Sequence, residues 1–275
     1  MNPFEHYAFP IIETVANCRL KLDDRDDKVA SARSYDGLTL SRVTPDNTNI
    51  ADLIEEVPLD EDTVKFIDRM IDQKGQEVLA YYKSPHLLNN LNFPGKWGIF
   101  IFTWALRYVA ANIRSFHPNP WGTVVTQAYQ FLCAHERYHW YVDAWTIDKE
   151  ALLKTSLYED YLNSVYRPHF PAGCFEEALA SRNARDSMQN EGIPAFLDSF
   201  MNRQPAMFSQ YGRDKNELRS HLAGQIIDRP VGEQALTHQR PELAPWLATS
   251  SSSILDPDNC PIYLIHERGP VIRQI

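Results

Sequence analysis

A chain of 275 residues is long enough for one large domain or two small ones. Its 44% hydrophobic content, with 23% charged residues, supports a packed core and excludes a disordered chain. A net charge of −9 argues against a dedicated partner for nucleic acid or an anionic membrane, because such proteins gather Lys and Arg to neutralise phosphates.

The opening MNPFEHYAFPIIETV has neither a basic start nor an uninterrupted apolar run, so it does not read as a secretory signal. No stretch reaches the roughly 20 apolar residues of a membrane-spanning helix, and the nearest, Trp97 to Ile113, is broken by Arg107. Both features point to a cytoplasmic protein with no membrane partner. Cys18, Cys133, Cys174 and Cys260 are scattered without a C-x-x-C pair, which suits free thiols better than a disulfide framework.

Residues 1–57 are mixed, with turn chemistry at Asp36-Gly37 and Pro45-Asp46 and short strands or a hairpin expected between 29 and 43. Val64, Ile67, Met70, Ile71, Val78 and Leu79 recur near helical spacing. They predict a helix over 60–83, capped by Asp60 or Asp62 and stopped before Pro85. After the Pro94-Gly95 turn signal, Trp97–Phe102 reads as a buried strand followed by a helix from Thr103 to Ile113, the alternative being that the run opens that helix. Beyond the break at 117–122, helices are expected over 123–145, 149–165, 174–189, 194–202 and 214–227. Ser250–Ser253 and Asp256–Asn259 mark a linker, and Ile262–Ile265 a strand. The expected organisation is one domain over 1–248, with its helical core at 60–227, and an appended tail over 249–275.

The chemistry concentrates in HERYH, residues 135–139. Helical residues four apart lie on one face, so His135 and His139 can point at one ion, while Glu136 lies close enough to act on a water there. Ala128, Phe131, Leu132 and Val142 share the histidines' stripe, which makes it an apolar face. Polar groups on such a face demand partners. A catalytic zinc site takes three protein ligands. The best source of a third is Cys174–Ser181, where Glu177 shares a helical face with Ala180, Ser181, Ala184 and Met188. Small residues there favour close packing on the histidine helix. Glu176 is the runner-up ligand, and Asp143 reads equally as a ligand, a partner for an imidazole or a solvated carboxylate.

HERYH with a downstream Glu-x-x-Ala resembles the zincin metallopeptidases, in the gluzincin arrangement, over roughly residues 95–190. The resemblance implies a helix-rich α+β fold whose small sheet offers an edge strand to extended substrate, a role for which Trp97–Phe102 is placed. It further implies Zn2+ held by His135, His139 and Glu177, with Glu136 as general base. The implied activity is hydrolysis of a peptide bond in a protein or peptide substrate, and narrow specificity is expected because the chain reads as intracellular. One departure stands out: where the family carries an acidic residue one turn beyond the ligand glutamate, this chain has Ser181. Tyr166, His169, Arg219 and His221 are candidates by residue type for stabilising the transition state, and His221 is carried forward. Cys260 reads either as a thiolate that caps the zinc or as a buried free thiol. Two other functions share the residues: a zincin-like binding or regulatory module, and a zinc hydrolase acting on something other than peptides.

Overall fold

In the computed structural model Gly98–Phe102 forms a strand in which every residue is buried. Five consecutive buried residues mean that both faces of the strand are covered, as a run of apolar side chains without polar alternation requires. The structure describes residues 33–35, 38–43, 50–84, 97–153, 156–188, 192–227 and 260–266. The segment 1–32, the turns expected at 36–37 and 45–46, and the linker at 249–258 lie outside the described residues.

The architecture is helix-rich α+β. Strands β1 (Arg33–Tyr35) and β2 (Leu38–Val43) precede a short helix α1 (Ile50–Leu53) and α2 (Glu61–Lys74). A 3-10 turn (Gly75–Val78) leads into β3 (Ala80–Lys83), and then come β4 (Gly98–Phe102), α3 (Thr103–Phe116) and the long α4 (Trp121–Leu153). The remaining elements are α5 (Tyr158–Tyr161), a π turn (Leu162–Tyr166), α6 (Arg167–His169), α7 (Phe175–Ser187), α8 (Pro194–Arg203), a second 3-10 turn (Ala206–Gly212), α9 (Lys215–Ile227) and β5 (Ile262–His266).

The strands form one sheet in the order β1-β2-β5-β4-β3, with β4 and β5 parallel and the other neighbours antiparallel. This corrects the edge-strand expectation: β4 is paired on both sides, and among the described residues the strand at the sheet's end is β3. The tail strand β5 is the middle of the sheet, between β2 and β4. Its residues 262–265 are all buried, and an apolar run of that kind gains most from a central position. Tyr81, Phe100 and Tyr263, opposite one another on three adjacent strands, stack at 5.1 and 4.9 Å between ring centroids. Such cross-strand aromatic pairs fix register as well as adding stability.

Two helix boundaries differ from the sequence expectation. The helix expected over 60–83 starts as read, with Asp60 accepting a hydrogen bond from Thr63 N at 2.8 Å. It ends at Lys74 because Gly75 takes φ +73, and Val78 and Leu79 are buried by the 3-10 turn and its exit instead. The helix expected over 149–165 is split. Helix α4 runs on to Leu153, and buried Glu150 then accepts hydrogen bonds from Leu157 N and Tyr158 N at 2.6 and 2.9 Å, starting α5. No helix among the described residues is long and apolar enough to cross a membrane.

The buried apolar residues divide into two clusters. One joins the sheet to α2, α3, the first half of α4 and α8; the other joins the later part of α4 to α5, α7 and α9. On α4 the histidines are flanked by Leu132, Cys133 and Trp140 of the first cluster and by Val142 of the second.

The β4–β5 junction rests on one glycine. Gly98 has φ +129, and a Cβ there would lie 2.3 Å from the Pro261 carbonyl oxygen, which accepts from Ile99 N at 2.8 Å. Gly98→Ala is expected to cost about 2 kcal/mol or more, read as a lower urea midpoint at unchanged slope. A wild-type midpoint would mean that this junction is not as tight as described.

Candidate metal centre

Helix α4 presents His135 and His139 one turn apart, on a stripe whose other members Ala128, Phe131, Leu132 and Val142 are all buried. Helix α7 packs along it. Its facing residues Ala180, Ser181 and Ala184 are small and fully buried, and Asn183 Nδ2 donates to Ala134 O at 2.7 Å. Small side chains let the two backbones approach, and the approach carries Glu177 to the histidines. Glu177 Oε2 lies 3.3 Å from His135 Nε2, and its Oε1 lies 3.8 Å from His139 Nε2.

A fourth residue arrives from the turn that broke the expected helix. Glu77 Oε1 stands 3.2 Å from His135 Nε2 and 3.5 Å from His139 Nε2, and the two Nε2 atoms are 3.3 Å apart. Glu77, His135, His139 and Glu177 each offer one donor atom, all within 4.8 Å of one another. An ion with four ligands at about 2.0–2.1 Å in a tetrahedron separates its donors by roughly 3.3 Å. The spacings of 3.2–3.5 Å among the two imidazoles, Glu77 and Glu177 Oε2 fit that figure, and the Glu177 Oε1–His139 distance of 3.8 Å exceeds it.

Two further observations favour a cation. An imidazole nitrogen carries at most one proton, yet His135 Nε2 faces a carboxylate of Glu77, a carboxylate of Glu177 and the Nε2 of His139. One proton cannot serve three neighbours, whereas an ion between them serves all. Charge gives the same answer. Four carboxyl groups, from Glu77, Glu136, Glu176 and Glu177, meet two histidines, so full ionisation would leave a net negative centre in a largely buried region. Burial of uncompensated charge on that scale costs several kcal/mol per group.

The surrounding groups hold the donors in place. Glu176 Oε1 accepts from His139 Nδ1 at 2.7 Å and from the Tyr158 hydroxyl at 3.1 Å, which fixes the ring with Nε2 towards the cluster. The acidic partner missing at Ser181 is thus supplied by the residue before the ligand glutamate. Tyr166 donates its hydroxyl to Glu177 Oε1. Asp143 is neither ligand nor solvated: it is fully buried and accepts from the Tyr82 hydroxyl at 2.8 Å. Glu136 is fully buried, and neither of its carboxylate oxygens has a hydrogen-bond partner among the described residues. Burial first, then the charge of Glu77, pushes its carboxyl well above the usual range.

His221 is not among the donors that converge here. It is half exposed on α9, stacks on Phe175 with ring centroids 4.8 Å apart, and lies 3.6 Å from Glu217. His169 and Arg219 are exposed as well. Cys260 is buried beside β4 and its thiol is pushed up by burial, so the free-thiol reading is the one its surroundings suit. Glu77 escaped the sequence reading. Nothing in its local pattern separated it from an ordinary surface glutamate of a helix.

No family model, curated protein or solved structure matches the chain.

Two expectations test it. Glu176→Gln should weaken zinc binding by about 10–100-fold without changing the stoichiometry, measured by chelator competition. Unchanged affinity would remove Glu176 as the group that orients His139. The second concerns pH. Burial alone would pull the His135 pKa down, but hydrogen bonds to Glu177 and Glu77 outweigh it and hold the metal-free imidazole at about 9. Below that value a proton competes with the ion for Nε2. Zinc affinity should therefore rise between about pH 6 and about pH 8, with proton release on binding seen by calorimetry in two buffers of different ionisation heat. Affinity that is flat across that window would contradict it.

Proposed function

We propose that the protein is a zinc-dependent hydrolase that cuts a peptide bond in a protein or peptide substrate. The observation that carries the reading is the convergence of His135, His139 and Glu177 beside a buried Glu136 whose oxygens have no other partner. Two imidazoles and a carboxylate are a donor set that suits zinc. Held there, a zinc ion would polarise a carbonyl and lower the pKa of a water.

The chain's own residues do the rest. Glu136 takes the proton of the attacking water on a carboxylate oxygen and returns it to the leaving nitrogen, as a general base and then acid. Its unpartnered state supports this role, since a purely structural carboxyl at such depth would be hydrogen-bonded. Tyr166, whose hydroxyl already reaches Glu177 Oε1, replaces His221 as the candidate donor to a developing oxyanion. Burial on α4 and α7 keeps bulk water from the reacting groups. Strand β3 lies at the end of the sheet among the described residues and begins three residues after Glu77, so it takes over the substrate-edge role first given to β4.

One observation favours a second reading. Four protein donors are the mark of a structural zinc site, and Glu77 makes a fourth. On that reading the chain is a binding or regulatory module stapled by an ion.

Glu136→Gln separates the two. With a quenched fluorescent peptide library as substrate, this variant should lose at least about 100-fold in cleavage while keeping its zinc and its fold. Undiminished cleavage would remove Glu136 as base. A wild-type protein that binds zinc and cleaves no peptide would favour the module.

A further inference from the structure

The four donors are not equivalent. Glu177 is fully buried on a 13-residue helix and is held by Tyr166. His139 is anchored through Glu176, and His135 is fully buried on α4 with its ring stacked on Phe208. Glu77 differs on every count. Its side chain is 21% exposed, against 0% for His135 and Glu177 and 5% for His139. It stands on a four-residue turn, and its carboxylate has no hydrogen-bond or ion-pair partner among the described residues besides the two histidines.

The backbone under it, by contrast, is fixed. Gln76 N donates to Gln204 Oε1 at 3.0 Å, and Leu79 N closes the turn on Gln76 O at 2.8 Å. Gly75 is packed so closely on Phe208 that a Cβ would meet the ring at 2.4 Å. Any movement available to Glu77 is therefore a movement of its side chain, about a turn that stays where it is.

We propose that Glu77 is the fourth ligand of the resting centre and the exchangeable one. Its carboxylate occupies the position that an incoming donor needs, and it swings towards solvent when that donor arrives. The exchange breaks one coordinate bond, from Glu77 Oε1, as another forms, with no change in oxidation state. This inference rests on the metal-centre reading above, and it reconciles a four-donor set with hydrolysis: the site is closed at rest and three-liganded when occupied by substrate. It also assigns the class of molecule that displaces Glu77 best, a ligand with an anionic or strongly polar oxygen or nitrogen able to bind end-on.

The test uses the full chain loaded with cobalt(II), titrated with azide and followed by the cobalt absorption bands. A group that holds the position about nine-tenths of the time weakens a competing ligand by roughly tenfold. Glu77→Ala and the isosteric Glu77→Gln should therefore each bind azide about tenfold more tightly than wild type, with altered cobalt bands before any azide is added. Cobalt affinity itself should fall in both variants. Azide affinity, bands and cobalt affinity all matching wild type would overturn the proposal. The same result in the folded Gln variant decides the matter if the Ala variant does not fold. Wild-type protein that takes up no cobalt would instead remove the metal centre itself, a distinguishable failure.

Discussion

The structure depends on how a buried knot of carboxylates and imidazoles is neutralised. Glu77, Glu136, Glu176 and Glu177 surround His135 and His139 on the α4–α7 pair. Two imidazolium charges cannot offset four carboxylates, and shared protons cannot satisfy every short contact on His135 Nε2. Protonation of Glu136 relieves part of the imbalance in the metal-free chain, since burial drives its carboxyl towards the neutral form. A divalent ion would relieve the rest, and its binding free energy would then add to the stability of the fold.

The scaffold around the knot is built for close approach and fixed orientation. Small residues on α7 bring Glu177 against α4. Tyrosines from three separate segments end on its carboxylates: Tyr82 on Asp143, Tyr158 on Glu176 and Tyr166 on Glu177. Each donates a hydroxyl proton to a buried carboxylate, and each ties its own segment to the α4–α7 pair. Tyr82 belongs to β3, so the sheet is joined to α4 through Asp143, and the aromatic stack Tyr81–Phe100–Tyr263 carries that anchorage across to β5. A donor set held within a few tenths of an ångström needs support of this kind, since a chelating side chain free to turn loses affinity to its own rotamer entropy.

Much of this was legible in residue order because it depends on local periodicity. The spacing of His135, His139 and their apolar stripe follows from 3.6 residues per turn, and α4 carries it as read. The same logic put Glu177 on the small-residue face of α7, while its rank ahead of Glu176 came from the Glu-x-x-Ala resemblance. Periodicity failed where a single backbone position overrode it. Gly75 stopped a helix that Val78 and Leu79 appeared to extend, and Glu150 started a new one by reaching forward to the amides of 157 and 158. The pairing of β4 was misjudged for another reason. Which strands lie beside it is settled by β5, whose partners are more than 150 positions away in the chain.

By itself, then, the sequence placed His135 and His139 on one apolar helical face, Glu136 next to the first of them and Glu177 on the small-residue face of a later helix, because each follows from side-chain type and helical repeat over a few turns. Tertiary structure alone decided that Glu77 joins the possible donors, that Glu176 bonds to His139 and that β3 is the last strand of the sheet among the described residues. Those facts concern which distant segments meet when apolar surface is withdrawn from water. Residue spacing carries no information about that until the chain has packed.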